Sequence, residues 1–279
     1  MTERITEFTR ADLTFPVVDS GPIDGEIVVL LHGFPQTPTS WEATAEHLHA
    51  QGYRTVVPWQ RGYARTASPE RRWQYRSSEL AADVAALLQR TGPAHLVGHD
   101  WGSSTAWLTA ATHPESVRTL TAVSVPHPLA FLRAFLRSDQ ALKSYYMFLF
   151  QIPAVPELLA RRFPGRFEAF LRASGMPDGA VRTVVDEVLT PGLLTGGLNY
   201  YRGMPFTAVK PGAATRIACP VTYIWSTDDV ALTRAGAELA GEYVDGPYRF
   251  VVLDGVSHWI PDERPERLAA EIVANAARA

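Results

Sequence analysis

Residues 97–104 read VGHDWGSS, and the reading of this stretch decides the fold. The apolar run AHLV at 94–97 leads into Gly98, and helix-forming sequence begins near Gly102, so Asp100 falls on a sharp strand-to-helix turn. Small residues at 98 and 102 let neighbouring backbones pass close to a strained tip residue. The N–H of Trp101 then points toward any negative charge that develops beside Asp100. Taken alone, G-x-x-x-G fits an ordinary βα turn with Asp100 as helix cap equally well. The surrounding sequence has to decide between the two.

Short apolar, β-branched runs recur at 27–31, 55–57, 94–97, 120–123, 221–225 and 250–253, and each reads as a buried strand. Helical patterns separate them. SSELAADVAALLQRTG at 77–92 has a serine N-cap, apolar positions three and four apart and a glycine stop at Gly92. STAWLTAATHP and RAGAELAGEY read the same way. The alternation predicts a mostly parallel sheet flanked by helices on both faces, the α/β class. Between about Leu129 and Pro211 the strands vanish and the sequence turns aromatic and helical. This predicts a core domain made of 1–128 and 212–279, interrupted by a helical cap at 129–211 where strand ends open.

At 279 residues and 46% hydrophobic types, the chain is long enough to bury a large core. Net charge is -3, from 26 basic and 29 acidic residues with no block of like charge, so nothing steers the protein to nucleic acid or a membrane. A small, uncharged partner is expected. The start, MTERITEFTRADLTF, lacks the apolar run of a signal peptide, and no stretch approaches the ~20 apolar residues of a spanning helix, which predicts a cytoplasmic protein. Cys219, the one cysteine, has no internal partner and reads as a buried structural thiol. His95 and His99 lie four apart on a strand, roughly 13 Å, and His47 and His49 point to different sides of a helix. No metal site and no cofactor are expected. Oligomeric state is left open, a homodimer included.

Three further stretches keep company with the turn. LLHGFPQTPTSW leaves a strand at His32-Gly33, where a cis Phe34-Pro35 bond would turn the Phe34 N–H inward. With the Trp101 N–H it would make an oxyanion hole. YIWSTDDVAL places an acid pair after a strand, and LDGVSHWIPDERPE places His258 after the last strand.

HGFP at 32–35, RGY at 61–63, GHDWG at 98–102, the acid in STDD and the histidine in GVSHW together resemble the α/β-hydrolase family, and within it the epoxide hydrolases. The resemblance covers nearly the whole chain and implies an α/β-hydrolase fold with an inserted cap. YMFLFQIP at 146–153 and LNYYRGM at 198–204 look like the two places where epoxide hydrolases keep ring-opening tyrosines, which implies Tyr146 and Tyr201, with Tyr145 and Tyr200 beside them. By the same resemblance Asp229 is the acid that holds His258, since the family's acid follows a small-x-x pattern, with Asp228 the alternative. His99 has no chemical role in the family and reads as packing. His32, Pro35, Trp101, Phe150 and Trp259 are expected to wall the substrate pocket. Trp59 stands where the family often has an acid.

Why an aspartate at the tip follows from elementary chemistry. A carboxylate, with a reference pKa near ~4, is already ionised and needs no base to attack. Attack on an ester would give an unstable anhydride, whereas attack on a strained or polarised sp3 carbon gives an ordinary ester. An opening epoxide also leaves an alkoxide, which two phenols with reference pKa about 10 can protonate. His258 would then activate water to hydrolyse the Asp100 ester. The expectation is an epoxide hydrolase acting on a small apolar epoxide and water. The rivals are a dehalogenase, which shares the aspartate, and a non-catalytic ligand-binding relative. Haloalkane dehalogenases usually keep asparagine where Phe34 stands, and fluoroacetate dehalogenases keep arginine where Trp101 stands, so both departures weigh against the first.

Overall fold

The run IVVLL at 27–31 has no polar face, and the fold buries both of its sides. In the computed structural model, which describes residues 3–207 and 216–279, it forms strand β3 (Ile27–Leu31). Val28 and Leu30 pack with Trp41, Leu48 and Ile272 on one side, while Val29 and Leu31 pack with Leu87 and Trp107 on the other. Alternate residues of a strand point to opposite faces, so both faces of the sheet must be covered.

Seven strands join β3: β1 (Glu7–Arg10), β2 (Leu13–Ser20), β4 (Arg54–Pro58), β5 (Ala94–His99), β6 (Val117–Val123), β7 (Val221–Ser226) and β8 (Tyr248–Leu253). Their order is β1-β2-β4-β3-β5-β6-β7-β8. From β4 to β8 all pairs are parallel, and β1–β2 and β2–β4 are antiparallel. The sheet is therefore mostly parallel, as expected, with an antiparallel edge that the apolar runs do not announce. The reason is burial: most of β2 is only half-buried, so its sequence, LTFPVVDS, carries no continuous apolar signal.

Helix α1 (Glu42–Ala50) lies on one face, and α2 (Ser77–Thr91) and α3 (Trp101–Thr112) lie on the other. Ser77 is the first helical residue rather than the cap, a correction to the sequence reading. Arg76, in extended conformation, holds the cap position, and the Ser77 N–H donates instead to the Thr207 hydroxyl at 3.1 Å. Gly92 ends the helix at φ +75°, as its sequence position predicts.

Between β6 and β7 the chain runs through α4 (Pro128–Arg137), α5 (Gln140–Lys143), α6 (Tyr145–Phe150), α7 (Val155–Arg162), α8 (Pro164–Ala173), α9 (Asp178–Val184), a π-helical turn (Val185–Leu189) and α10 (Leu194–Gly203). Among the described residues between β6 and β7 there is no strand. The expected boundary at 211–212 lies outside the described residues. These helices share a buried cluster with the turns of the sheet: Phe34, Trp101 and Trp259 pack with Phe150, Leu171, Val181 and Tyr201. Gly62 and Gly196 meet backbone to backbone, so a side chain on either would overlap the other. Helices α11 (Arg234–Leu239), α12 (Ile260–Glu263) and α13 (Pro265–Ala276) complete the chain, with α13 beside α1. Among the described residues no helix is long and apolar enough to cross a membrane.

The turn at 97–104 is packed as tightly as its glycines suggest. A Cβ at Gly102 would overlap the carbonyl of Leu31, and one at Gly98 would overlap the carbonyl of Gly102. Both obstacles are backbone, which cannot swing aside as a side chain can. Gly102→Ala is expected to lower stability by about 3 kcal/mol. Urea unfolding with an unchanged m-value would measure it, and an unaltered midpoint would contradict this account of the turn.

Candidate active site

Asp100 stands between β5 and α3 with φ +51° and ψ −119°, a conformation that non-glycine residues adopt only under constraint. The constraint is visible on both carboxylate oxygens. The Phe34 N–H donates to Oδ1 at 2.7 Å, and Oδ2 lies 3.5 Å from His258 Nε2. The Phe34-Pro35 bond is cis. Gly33 passes so close to Asp100 that a side chain there would overlap the carboxylate. The HGFP stretch thus meets the turn through a bare backbone and one donated N–H.

His258 follows β8, and its Nδ1 lies 2.8 Å from Asp229 Oδ2. Asp229 is turned inward by its own loop, because its Oδ1 accepts the N–H groups of Ala231 at 2.8 Å and Leu232 at 2.9 Å. Asp228 is exposed and points elsewhere, so of the acid pair only Asp229 reaches the histidine. The backbone carbonyl of His258 accepts from His99 Nε2 at 2.9 Å and from the Ser124 hydroxyl at 3.0 Å. Nothing in the sequence marks Ser124 for this. His99, expected from the sequence only to pack, is fully buried and hydrogen-bonded on both ring nitrogens, to the His258 carbonyl and to Gln36, with burial holding its imidazole down at about 4.

The charges explain one another. Burial would push the Asp100 carboxyl up, but His258 and the Phe34 N–H outweigh it and hold it below its ordinary value. Burial would likewise push His258 down, and the carboxylates of Asp229 and Asp100 overcome this and hold it up at about 10. His258 therefore favours the fold fully below its unfolded value of about 6.5, and that share is lost as pH rises through about 10. Asp100, depressed, contributes above the unfolded carboxylate range and loses its share as pH falls.

Two tyrosines from the inserted helices face this cluster. The rings of Tyr146 on α6 and Tyr201 on α10 are 6.1 Å apart, and Tyr201 lies edge-on to Trp101 at 5.0 Å. Burial first, then the nearby carboxylate of Asp100, raises the Tyr146 phenol above its ordinary value. Burial, then Tyr146 and Asp100, raises Tyr201 as well. Both phenols therefore stay protonated at neutral pH. Their helices are spliced together: Gln151 donates to the Tyr201 carbonyl at 2.6 Å, and Arg202 donates to the carbonyls of Phe150 and Ile152 at 3.0 Å each while pairing with Glu157 at 2.7 Å. Tyr145 is 65% exposed and reaches only the smaller of the two cavities at the site, while Tyr200 is buried among Tyr63, Tyr75 and Trp101 and lines neither, so of the four tyrosines in the two sequence pairs Tyr146 and Tyr201 alone line both cavities.

Two cavities meet at this point. One, of about 480 Å³, is walled largely by apolar side chains such as Phe131, Phe135 and Phe148. The other, of about 270 Å³, runs past Phe34, Pro35, Phe150, His258 and Trp259. Asp100, Tyr146 and Tyr201 line both. Trp101 walls the larger one. His32, expected in the pocket wall, is in neither. Its fully buried ring lies edge-on to Tyr63 at 4.6 Å and faces the Gln60 N–H, so it supports the turn from behind. Asp229→Asn is expected to lower the His258 pKa by about 1–3 units. Titration of its ring protons by NMR checks this, and an unmoved midpoint would refute the electrostatic account.

A family model described as the alpha/beta hydrolase fold matches residues 26–265. An AB hydrolase superfamily protein of Bacillus subtilis, YfhM, is 33% identical over 265 residues, covering 91% of each chain. Epoxide hydrolase A of Mycobacterium tuberculosis is 31% identical over 315 residues, covering 98% of this chain and 96% of that one. Among solved structures, Epoxide Hydrolase A from Mycobacterium thermoresistibile superposes with a TM-score of 0.80 at 27% identity, over 96% of this chain and 97% of that chain. With the sheet order, the Asp100 turn and these likenesses together, the chain belongs to the α/β-hydrolase superfamily and, within it, to the epoxide hydrolase family.

Proposed function

We propose that this protein adds water to an apolar epoxide, giving a vicinal diol through an ester on Asp100. The observation that carries the reading is the meeting of one ionised carboxylate and two protonated phenols at the junction of two cavities. Nucleophile and acids then stand on opposite sides of a bound ring, with space for a substituent on either carbon. In this reading 1–128 and 212–279 are the core domain and 129–211 the cap, so the core supplies the attacking group and the cap supplies the acids.

The steps balance with water alone. Asp100 Oδ2 attacks a ring carbon, the carbon–oxygen bond breaks, and the ring oxygen takes a proton from Tyr146 or Tyr201. Oδ1 stays on the Phe34 N–H and becomes the ester carbonyl. The Asp100 charge is now gone, so one of the two carboxylates that hold the proton on His258 has disappeared. That proton neutralises the phenolate and leaves His258 free to act as base. His258, steadied by Asp229, next takes a proton from water, and the hydroxide adds to the Asp100 carbonyl carbon. The oxyanion rests on the N–H groups of Phe34 and Trp101. Collapse expels the diol oxygen, which collects the remaining proton by way of His258, and the Asp100–His258 ion pair returns. A resting His258 held up at about 10 is thus a safeguard: its unprotonated form is released only once the ester exists.

Reaction of His258→Gln with a styrene-type epoxide, followed by weighing the intact protein, tests the covalent route. An adduct of substrate mass on Asp100 is expected, and its absence would overturn the proposal. Tyr201→Phe should slow ester formation about 100-fold in single-turnover measurements. Halide release from haloalkanes, with no diol from epoxides, would instead favour the dehalogenase reading.

A further inference from the structure

The loop that carries Asp229 is held by two side chains from the inserted helices. Lys143, at the end of α5, donates its ammonium to the carbonyl of Asp229 at 2.8 Å and to that of Leu232 at 3.3 Å. Gln140, one turn earlier and fully buried, donates to the Ala231 carbonyl at 2.7 Å and accepts the Thr233 N–H at 2.8 Å. Three of the loop's backbone carbonyls are therefore satisfied from α5. Inside the loop, the Ala231 and Leu232 N–H groups are the ones that orient the Asp229 carboxylate. Lys143 also lines the smaller cavity together with Asp100 and His258.

We propose that Lys143, supported by Gln140, is a positioning residue for the ester-hydrolysis half of the reaction. It rests on the epoxide-hydrolase reading above. Lys143 touches neither the carboxylate of Asp229 nor the ring of His258 through a hydrogen bond; it holds the Asp229–Val230 and Leu232–Thr233 peptides on either side of the two whose N–H groups aim Asp229, Gln140 holds the Ala231–Leu232 peptide between them, and Asp229 in turn orients His258. Ring opening uses Asp100, the phenols and the Phe34 N–H; the Lys143 ties hydrogen-bond to none of these and reach Asp100 only through Asp229 and His258. Loss of the Lys143 ties should therefore fall mainly on the hydrolysis half-reaction. Slower hydrolysis with unchanged ester formation lowers kcat and KM together and leaves kcat/KM in place.

The experiment separates the two steps by rapid quench and mass measurement, with a styrene-type epoxide on native enzyme, Lys143→Met and Lys143→Arg. For Lys143→Met, ester hydrolysis should slow about tenfold, with ester formation and kcat/KM within about threefold of native. The covalent ester should accumulate at steady state. Lys143→Arg keeps a cationic donor on a stem of similar length and should restore hydrolysis to within about threefold. Native-like hydrolysis in Lys143→Met, or ester formation falling as far as hydrolysis, would overturn the assignment. A native enzyme that forms no ester at all with epoxides would refute the functional reading instead.

Discussion

A carboxylate on a side chain only 13% exposed has lost most of its water, and the rest of the structure is arranged around that loss at Asp100. Isolated burial of an ion is prohibitive, so compensation has to come from fixed protein groups. Here it comes from three separate places: a peptide N–H after β3, an imidazolium after β8, and a second carboxylate after β7 that keeps the imidazolium charged. These segments are far apart in sequence. A parallel sheet is the economical way to bring them together, because it places the carboxyl ends of β3, β5, β7 and β8 along one edge.

The upper side of the site follows a different rule. The inserted helices bring two phenols, whose protons are held by burial and by the anion beneath them, and one ammonium, that of Lys143, which is turned to backbone carbonyls. The larger cavity extends this apolar surrounding through Phe131 and Phe135. Such walls suit an apolar molecule, and among the described residues that line the two cavities the one carboxylate is that of Asp100.

Much of this was legible from residues next to strand ends. IVVLL followed by HGFP and AHLV followed by GHDWG each join a buried strand to a chemical group; FVVLD followed by GVSH does the same from β8, which lies at the sheet edge and is only half-buried, against the expectation of a buried strand. The resemblance favoured Asp229 and left Asp228 as the alternative; the physical reason for the choice lies in the loop, where the N–H groups of Ala231 and Leu232 turn the Asp229 carboxylate inward. His32 misled for a related reason: it belongs to the right motif, but its ring turns toward Tyr63, a partner set by tertiary packing. Ser124, Gln140 and Lys143 leave no sequence signal, since each acts on a backbone carbonyl that any residue could present.

The contact between Gly62 and Gly196 has a consequence for how this protein can diversify. With no side chains between them, α10 is set against the core at a spacing that no substitution at those two positions can widen without displacing a backbone. Tyr201, five residues further along the same helix, inherits that fixed seat. The aromatic walls contributed by α4, with Phe131 and Phe135, and by α8, with Phe170, carry no comparable backbone lock. Inherited change can redraw those walls one side chain at a time, altering what the protein accepts while the phenol on α10 keeps its place.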